Sequence, residues 1–154
     1  MKLLSTVTFL TIFIMTTTSI TAQNSPDLSG KKIINTKNAP AAIGPYSQGI
    51  VAGGLLFTSG QLPIHPVTGN IPATVAEQTI QVLDNLKAVV EAAGLTLGSV
   101  VKTTVYLQSM ADFDTMNKIY STYFPNNPPA RATVEVSKMA KNALVEIDAV
   151  AVLK

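Results

Sequence analysis

The sequence predicts an α+β domain in which two helices cover one face of a mixed β-sheet. Three observations predict it. Two segments place apolar residues at helical spacing, and several shorter segments alternate or run in β-branched residues. Read in order, they give strand, strand, strand, helix, strand, helix, strand, strand. The chain has 154 residues, of which 47% are hydrophobic, enough for one domain with a real core and short for two.

Met1 to about Ala22 has the layout of a secretory signal peptide: Lys2, an apolar run from Leu3 to Met15, then small residues from Thr16 to Ala22. The run is short for a spanning helix, which needs ~20 residues. Cleavage near Ala22 and export to the periplasm or medium are expected, with no stable membrane anchor afterwards. A retained anchor is the alternative. Residues 23–30 read as a polar, disordered linker, and 31–154 as the folded domain.

Lys31 to Asn35 is a short first strand. The segment from Ala39 to Gln48 is turn-forming and rich in small residues. Gly49–Ala52 and Leu55–Gly60 form a hairpin turned at Gly53-Gly54. A glycine at a strand end, as at Gly60, lets a backbone or ligand come close. Leu62 to Pro72 is a proline-punctuated loop, in which His65 reads as an exposed loop histidine.

Thr74-Val75-Ala76-Glu77 is a capping box opening the first helix, and Gly94 stops it. Val75, Thr79, Val82, Leu83, Leu86, Val89, Val90 and Ala93 form its apolar face, with Glu77, Asp84, Lys87 and Glu91 largely outside it. Val100 to Gln108 is a strand, alternating around Val101, Thr103, Val105 and Leu107. Ser109 to Asp112 caps a second helix whose face carries Phe113, Met116, Asn117, Tyr120 and Phe124. Among aromatics, Asn117 is either a packed structural amide or a ligand contact.

Pro128 and Pro129 form a stiff lead-in to the only arginine, Arg131, at the start of an alternating strand. A guanidinium there is suited to gripping a carboxylate or phosphate bidentately, or is simply a surface arginine at a loop–strand junction. Leu144 to Leu153 is the last strand. Glu146 and Asp148 fall among apolar residues on one of its faces, where a carboxylate is costly to bury without a partner. The sheet face away from the helices would carry Val, Thr and Ile and stay open, which marks an interface between identical subunits.

Composition excludes several chemistries. There is no cysteine, hence no disulfide, thiol nucleophile or cysteine–metal site. A single histidine disfavours a His-rich metal centre or a Ser-His-Asp triad. The net charge is +2 with no basic patch, so nucleic-acid binding has no electrostatic support.

Five stretches agree in order and spacing with one family. They are Asn38-Ala39-Pro40-Ala41-Ala42-Ile43-Gly44-Pro45-Tyr46-Ser47-Gln48, Thr58-Ser59-Gly60-Gln61-Leu62-Pro63, Leu83-Asp84-Asn85-Leu86-Lys87-Ala88, Pro129-Ala130-Arg131-Ala132-Thr133-Val134-Glu135-Val136 and Val145-Glu146-Ile147-Asp148-Ala149. The chain from about Ile33 to Lys154 closely resembles the RidA/YjgF family of enamine/imine deaminases.

The resemblance implies a chorismate-mutase-like fold and a homotrimer, with the sheets forming a central barrel and ligand clefts between subunits. It implies hydrolysis of 2-aminoacrylate or 2-iminobutyrate to a 2-keto acid and ammonia, with neither cofactor nor metal. Carried over, Arg131 would bind the substrate carboxylate and Glu146 would orient the attacking water or take its proton. Tyr46, Asn117 and Tyr120 would line the cleft, and backbone groups at Gly60 and Thr133 would contact the substrate. Thr133 stands where many relatives have cysteine, and Ala140 where a proline is common.

The best-known members are cytoplasmic or mitochondrial, so a signal peptide is the largest departure. An alternative is a non-catalytic trimer outside the cytoplasm that binds keto acids or stabilises other proteins. Ribonuclease activity, ascribed to some relatives, finds no basic patch or catalytic histidine here.

Overall fold

Thr74 opens the longest helix as its motif predicts. Its hydroxyl accepts from the Glu77 amide at 3.3 Å, and the Glu77 carboxylate accepts from the Thr74 amide at 3.3 Å. Gly94, at φ +81°, ends the helix in the left-handed conformation that glycine adopts without steric penalty.

The computed structural model describes residues 30–153. The predicted signal peptide over 1–22, nearly all of the 23–30 linker and Lys154 lie outside the described residues. The elements are β1 (Lys32–Ile34), β2 (Gly49–Ala52), β3 (Leu55–Thr58), α1 (Val75–Ala92), β4 (Val100–Leu107), α2 (Phe113–Tyr123), β5 (Ala130–Glu135) and β6 (Val145–Val152). They occur in the predicted order. The sheet runs β1-β2-β3-β6-β4-β5, and every neighbouring pair is antiparallel except the parallel pair β4 and β5. Among the described residues no helix is long and apolar enough to cross a membrane.

The core lies between the helices and one sheet face. Val82, Leu83, Leu86, Val89 and Val90 of α1 are fully buried, as are Val105 and Leu107 of β4 and Val145, Ile147 and Ala151 of β6. Burying each of the larger side chains contributes roughly 1.5–3 kcal/mol.

One expectation is corrected. The alternation on β4 put Val101 on the inward face with Thr103, Val105 and Leu107. A bulge between Val100 and Lys102 turns Val100 inward instead and leaves Val101 45% exposed.

The other face of the sheet is bare in the single chain, as expected of a subunit interface. Its makeup is more polar than expected. Phe57, Val134 and Val152 are exposed there, but Lys102, Tyr106, Glu146 and Asp148 share the same face.

Candidate active site

Arg131 pairs with Thr103 in the parallel ladder, so its side chain emerges on the helix-covered side of the sheet. The guanidinium lies over the Tyr120 ring, 4.6 Å from its centroid, and 5.8 Å from that of Phe113. Both distances are within cation–π range. Tyr120 is itself fixed. Its hydroxyl and that of Thr103 are 2.7 Å apart, and its ring lies 4.7 Å from Phe124. Burial pushes the Tyr120 phenol up from its usual range, although Thr103 and the positive charge of Arg131 pull it down.

Among the described residues the only ion pair is Lys87–Glu91. Arg131 is thus anchored by aromatic faces, and among the described residues it makes no ion pair with a carboxylate. It opens onto a cleft of about 700 Å³ lined also by Asp114, Asn117, Lys118, Tyr120, Ser121, Phe124, Pro128 and Pro129. The stiff prolines and the face of α2 thus form the walls of a space holding a free set of guanidinium donors. Such a space suits a planar anion.

A second group forms on the open face. Glu146 pairs across the ladder with Tyr106 and leans over Gly60. A Cβ added at Gly60 would overlap the Glu146 Oε1 atom and stand 2.8 Å from its Cδ, so a larger residue at 60 would push this carboxylate out of its place. Gly60 is held by its successor: the Gln61 amide donates to the Ile147 carbonyl at 2.9 Å, and the Ile147 amide returns a bond at 3.3 Å. The buried Asn85 amide on α1 then donates to the Leu62 and Ile64 carbonyls, both at 2.9 Å.

Tyr46 reaches the same space from the loop before β2. That loop is tied down by the buried Gln48 amide, which accepts from the Thr36 amide at 2.7 Å and donates to the Pro40 carbonyl at 2.7 Å. Tyr46, Gly60 and Glu146 line a cavity of about 350 Å³ together with Ile43, Ser59, Leu62 and Ala140. Burial, and secondarily the nearby charge of Asp148, hold the Glu146 carboxyl above the usual carboxylate range. Ala140 sits in a tight turn closed by the Ala143 amide on its carbonyl at 3.2 Å, with Lys141 and Asn142 at φ 59° and 55°.

The structure thus brings Arg131, Asn117 and Tyr120 into one group and Tyr46, Gly60 and Glu146 into another. It does not join the two within one chain. Two side chains on strands of one sheet can meet only if register turns them to the same face. Strand order and register rule that out: β4 lies between β5 and β6, Arg131 points to the helix side, and Glu146 points to the open side. Thr133, two residues beyond Arg131 on β5, lines neither cavity, and its hydroxyl is buried without a hydrogen-bond partner. Sequence reading also assigned no role to Gln48, Gln61 or Asn85, although all three lie in the quoted motifs. His65 is exposed, and its Nδ1 accepts from the Val67 and Thr68 amides at 3.3 Å, a turn-closing role.

The profile of the family described as Endoribonuclease L-PSP matches residues 36–153. The chain belongs to this family. The 2-iminobutanoate/2-iminopropanoate deaminase of Escherichia coli strain K12 is 52% identical over 124 residues, covering 79% of this chain and 97% of that protein. A RutC family protein of Pyrococcus horikoshii is 53% identical over 122 residues, with 79% and 97% covered.

Solved Endoribonuclease L-PSP relatives share the fold. The YjgF gene product of E. coli superposes with a TM-score of 0.77 at 52% identity, over 80% of this chain and 99% of that one. E. coli TdcF with bound serine gives 0.78 at 45% identity, over 80% and 99%. The RidA/YjgF resemblance and the α+β fold expected from it therefore hold.

Proposed function

We propose that the chain is a hydrolytic deaminase of reactive 2-enamine and 2-imine acids, such as 2-aminoacrylate and 2-iminobutyrate, working as a homotrimer. The observation that carries the reading is an unneutralised guanidinium over two aromatic rings in one cleft and a carboxylate held half-buried over a glycine in another. These are the two tools the reaction needs. The similarity to the E. coli deaminase supports the substrate class, and the serine bound by TdcF supports a small ligand bearing a carboxylate.

The chemistry follows from the parts. Arg131 holds the substrate carboxylate with two parallel hydrogen bonds. Glu146 orients a water and takes its proton as oxygen bonds to the imine carbon. Glu146 passes that proton to nitrogen, then accepts the remaining hydroxyl proton as the C=O forms and the C–N bond breaks, and a 2-keto acid and ammonia leave. The imine carbon is already electrophilic, so positioning and general-base help, each contributing a few kcal/mol, are sufficient. The two tools lie on opposite faces of one sheet, so one substrate meets both only where Arg131 of one chain approaches Glu146 of another. The bare sheet face favours such an assembly, and a closed trimer meets the need. Tyr46, Asn117, Tyr120 and backbone groups at Gly60 and Thr133 complete the proposed contacts.

The test is ammonia release from 2-aminoacrylate generated in situ. The purified protein accelerates it over buffer, and Arg131→Ala lowers kcat/KM on the order of a hundredfold by removing charge-assisted bonds. No acceleration, with Arg131→Ala indistinguishable from the parent, sinks the reading. Keto-acid binding that depends on Arg131 without turnover would instead favour the non-catalytic binding module. We further propose that the protein is exported, on the strength of the residues before Gln23. The mature N-terminus in the native host, with its cell fraction, tests this.

A further inference from the structure

Glu146 stands between two cavities on the open face. One is the Tyr46 cavity. The other, of about 310 Å³, is lined by Tyr106, Val136, Lys138, Met139 and Asp148, and shares only Gly60, Ala140 and Glu146 with the first. Asp148 follows Glu146 by two residues on β6, so both carboxylates project from the same face. Tyr106 is the cross-strand partner of Glu146, yet its phenol donates to Asp148 Oδ2 at 2.9 Å. The deaminase chemistry above uses neither Asp148 nor Tyr106.

The Tyr106 phenol fixes where the Asp148 carboxylate stands, and a charged carboxylate beside a second one makes the second hold its proton more strongly. Asp148 lines the second cavity and not the Tyr46 cavity, whereas Glu146 lines both. The groups facing Glu146 are Tyr106 from β4, Asp148 from β6, Tyr46 from the loop before β2, and Lys138 from the segment before β6. Lys138 makes no ion pair among the described residues, and its charge opposes that of Asp148.

We propose that Asp148, held by Tyr106, is a positioning residue that primes Glu146 to take the proton from the attacking water. Its kinetic consequence rests on the deaminase reading; the coupling of the two carboxylates does not.

Asp148→Asn keeps the shape and an acceptor for Tyr106 while removing the charge. Two readouts follow: a ¹³C NMR titration of the Glu146 carboxyl in selectively labelled protein, and the pH profile of kcat/KM. In the variant the Glu146 midpoint and the acid limb both move to lower pH, kcat falls roughly three- to tenfold, and KM is unchanged. An unmoved midpoint or an unmoved acid limb overturns the proposal. If the parent protein does not hydrolyse imines, the deaminase reading fails and the titration alone decides the coupling. Should Asp148→Asn not fold, Tyr106→Phe decides. Without its phenol, Asp148 is no longer held beside Glu146, and the Glu146 midpoint and the acid limb move to lower pH as in Asp148→Asn. An unshifted midpoint overturns the proposal.

Discussion

In the proposed reaction Glu146 would serve chemistry at the expense of stability. Its carboxyl is raised in the folded state, first by burial and then by Asp148. A group whose folded value lies above its unfolded one stabilises the fold at low pH, and that contribution is lost as pH rises through the folded value. At neutral pH the ionised Glu146 is therefore a liability. Glu146→Gln is expected to abolish turnover and to raise the melting temperature at pH 7, with the advantage shrinking as the pH is lowered below the ordinary carboxylate range. Calorimetry across pH checks it; an equal shift at all pH values would contradict the burial argument. Gly60→Ala should likewise lose kcat while remaining folded, because its Cβ takes the volume of the Glu146 carboxylate; circular dichroism beside kinetics separates the two effects. These residues were partly legible in the sequence. A lone arginine behind two prolines and a carboxylate among apolar neighbours are visible anomalies. The direction each side chain takes is not, because it depends on register. Val101 illustrates this, since one extra residue at a bulge shifted the inward series by one place.

At the scale of elements, periodicity made the order of strands and helices readable. Local signals also fixed the ends of α1, where Thr74 and Glu77 cap the start and Gly94 the finish. What periodicity hid was the inward polar side chains of that helix. Gln78 and Asn85 look like solvent-facing amides, yet both are buried. Gln78 donates to the Pro72 carbonyl at 2.8 Å and accepts from the Leu144 amide at 2.7 Å, joining the loop after β3 to the start of β6. With Asn85 it fixes both segments that flank the Glu146 cavity, so α1 is a support for the site although it contributes no group to it. Asn85→Ala leaves two loop carbonyls without their donor. It is expected to destabilise the protein by roughly 1–3 kcal/mol in urea unfolding. It should also reduce kcat through a displaced Gly60; a variant with lowered stability and unchanged kcat would show that the loop holds its place without α1.

For the whole molecule, strand order is the decisive fact. It was not readable from the sequence, because alternation says that a strand has two faces but not which neighbour it pairs with. The order β6-β4-β5 places Arg131 and Glu146 back to back. If sites form between chains of a closed trimer, mixing Arg131→Ala with Glu146→Gln and allowing subunits to exchange should restore about a quarter of the parent activity, because that fraction of interfaces joins an intact arginine to an intact carboxylate. No recovery after verified exchange would place both groups in one chain's site. The back-to-back arrangement also sets a kinetic order. On the proposed trimer, a freshly folded single chain would hold only halves of two different sites and would be latent until it meets its copies. Activity per milligram should then rise with protein concentration at high dilution and level off once assembly is complete. The onset of turnover would thus time oligomerisation, with no separate activating event.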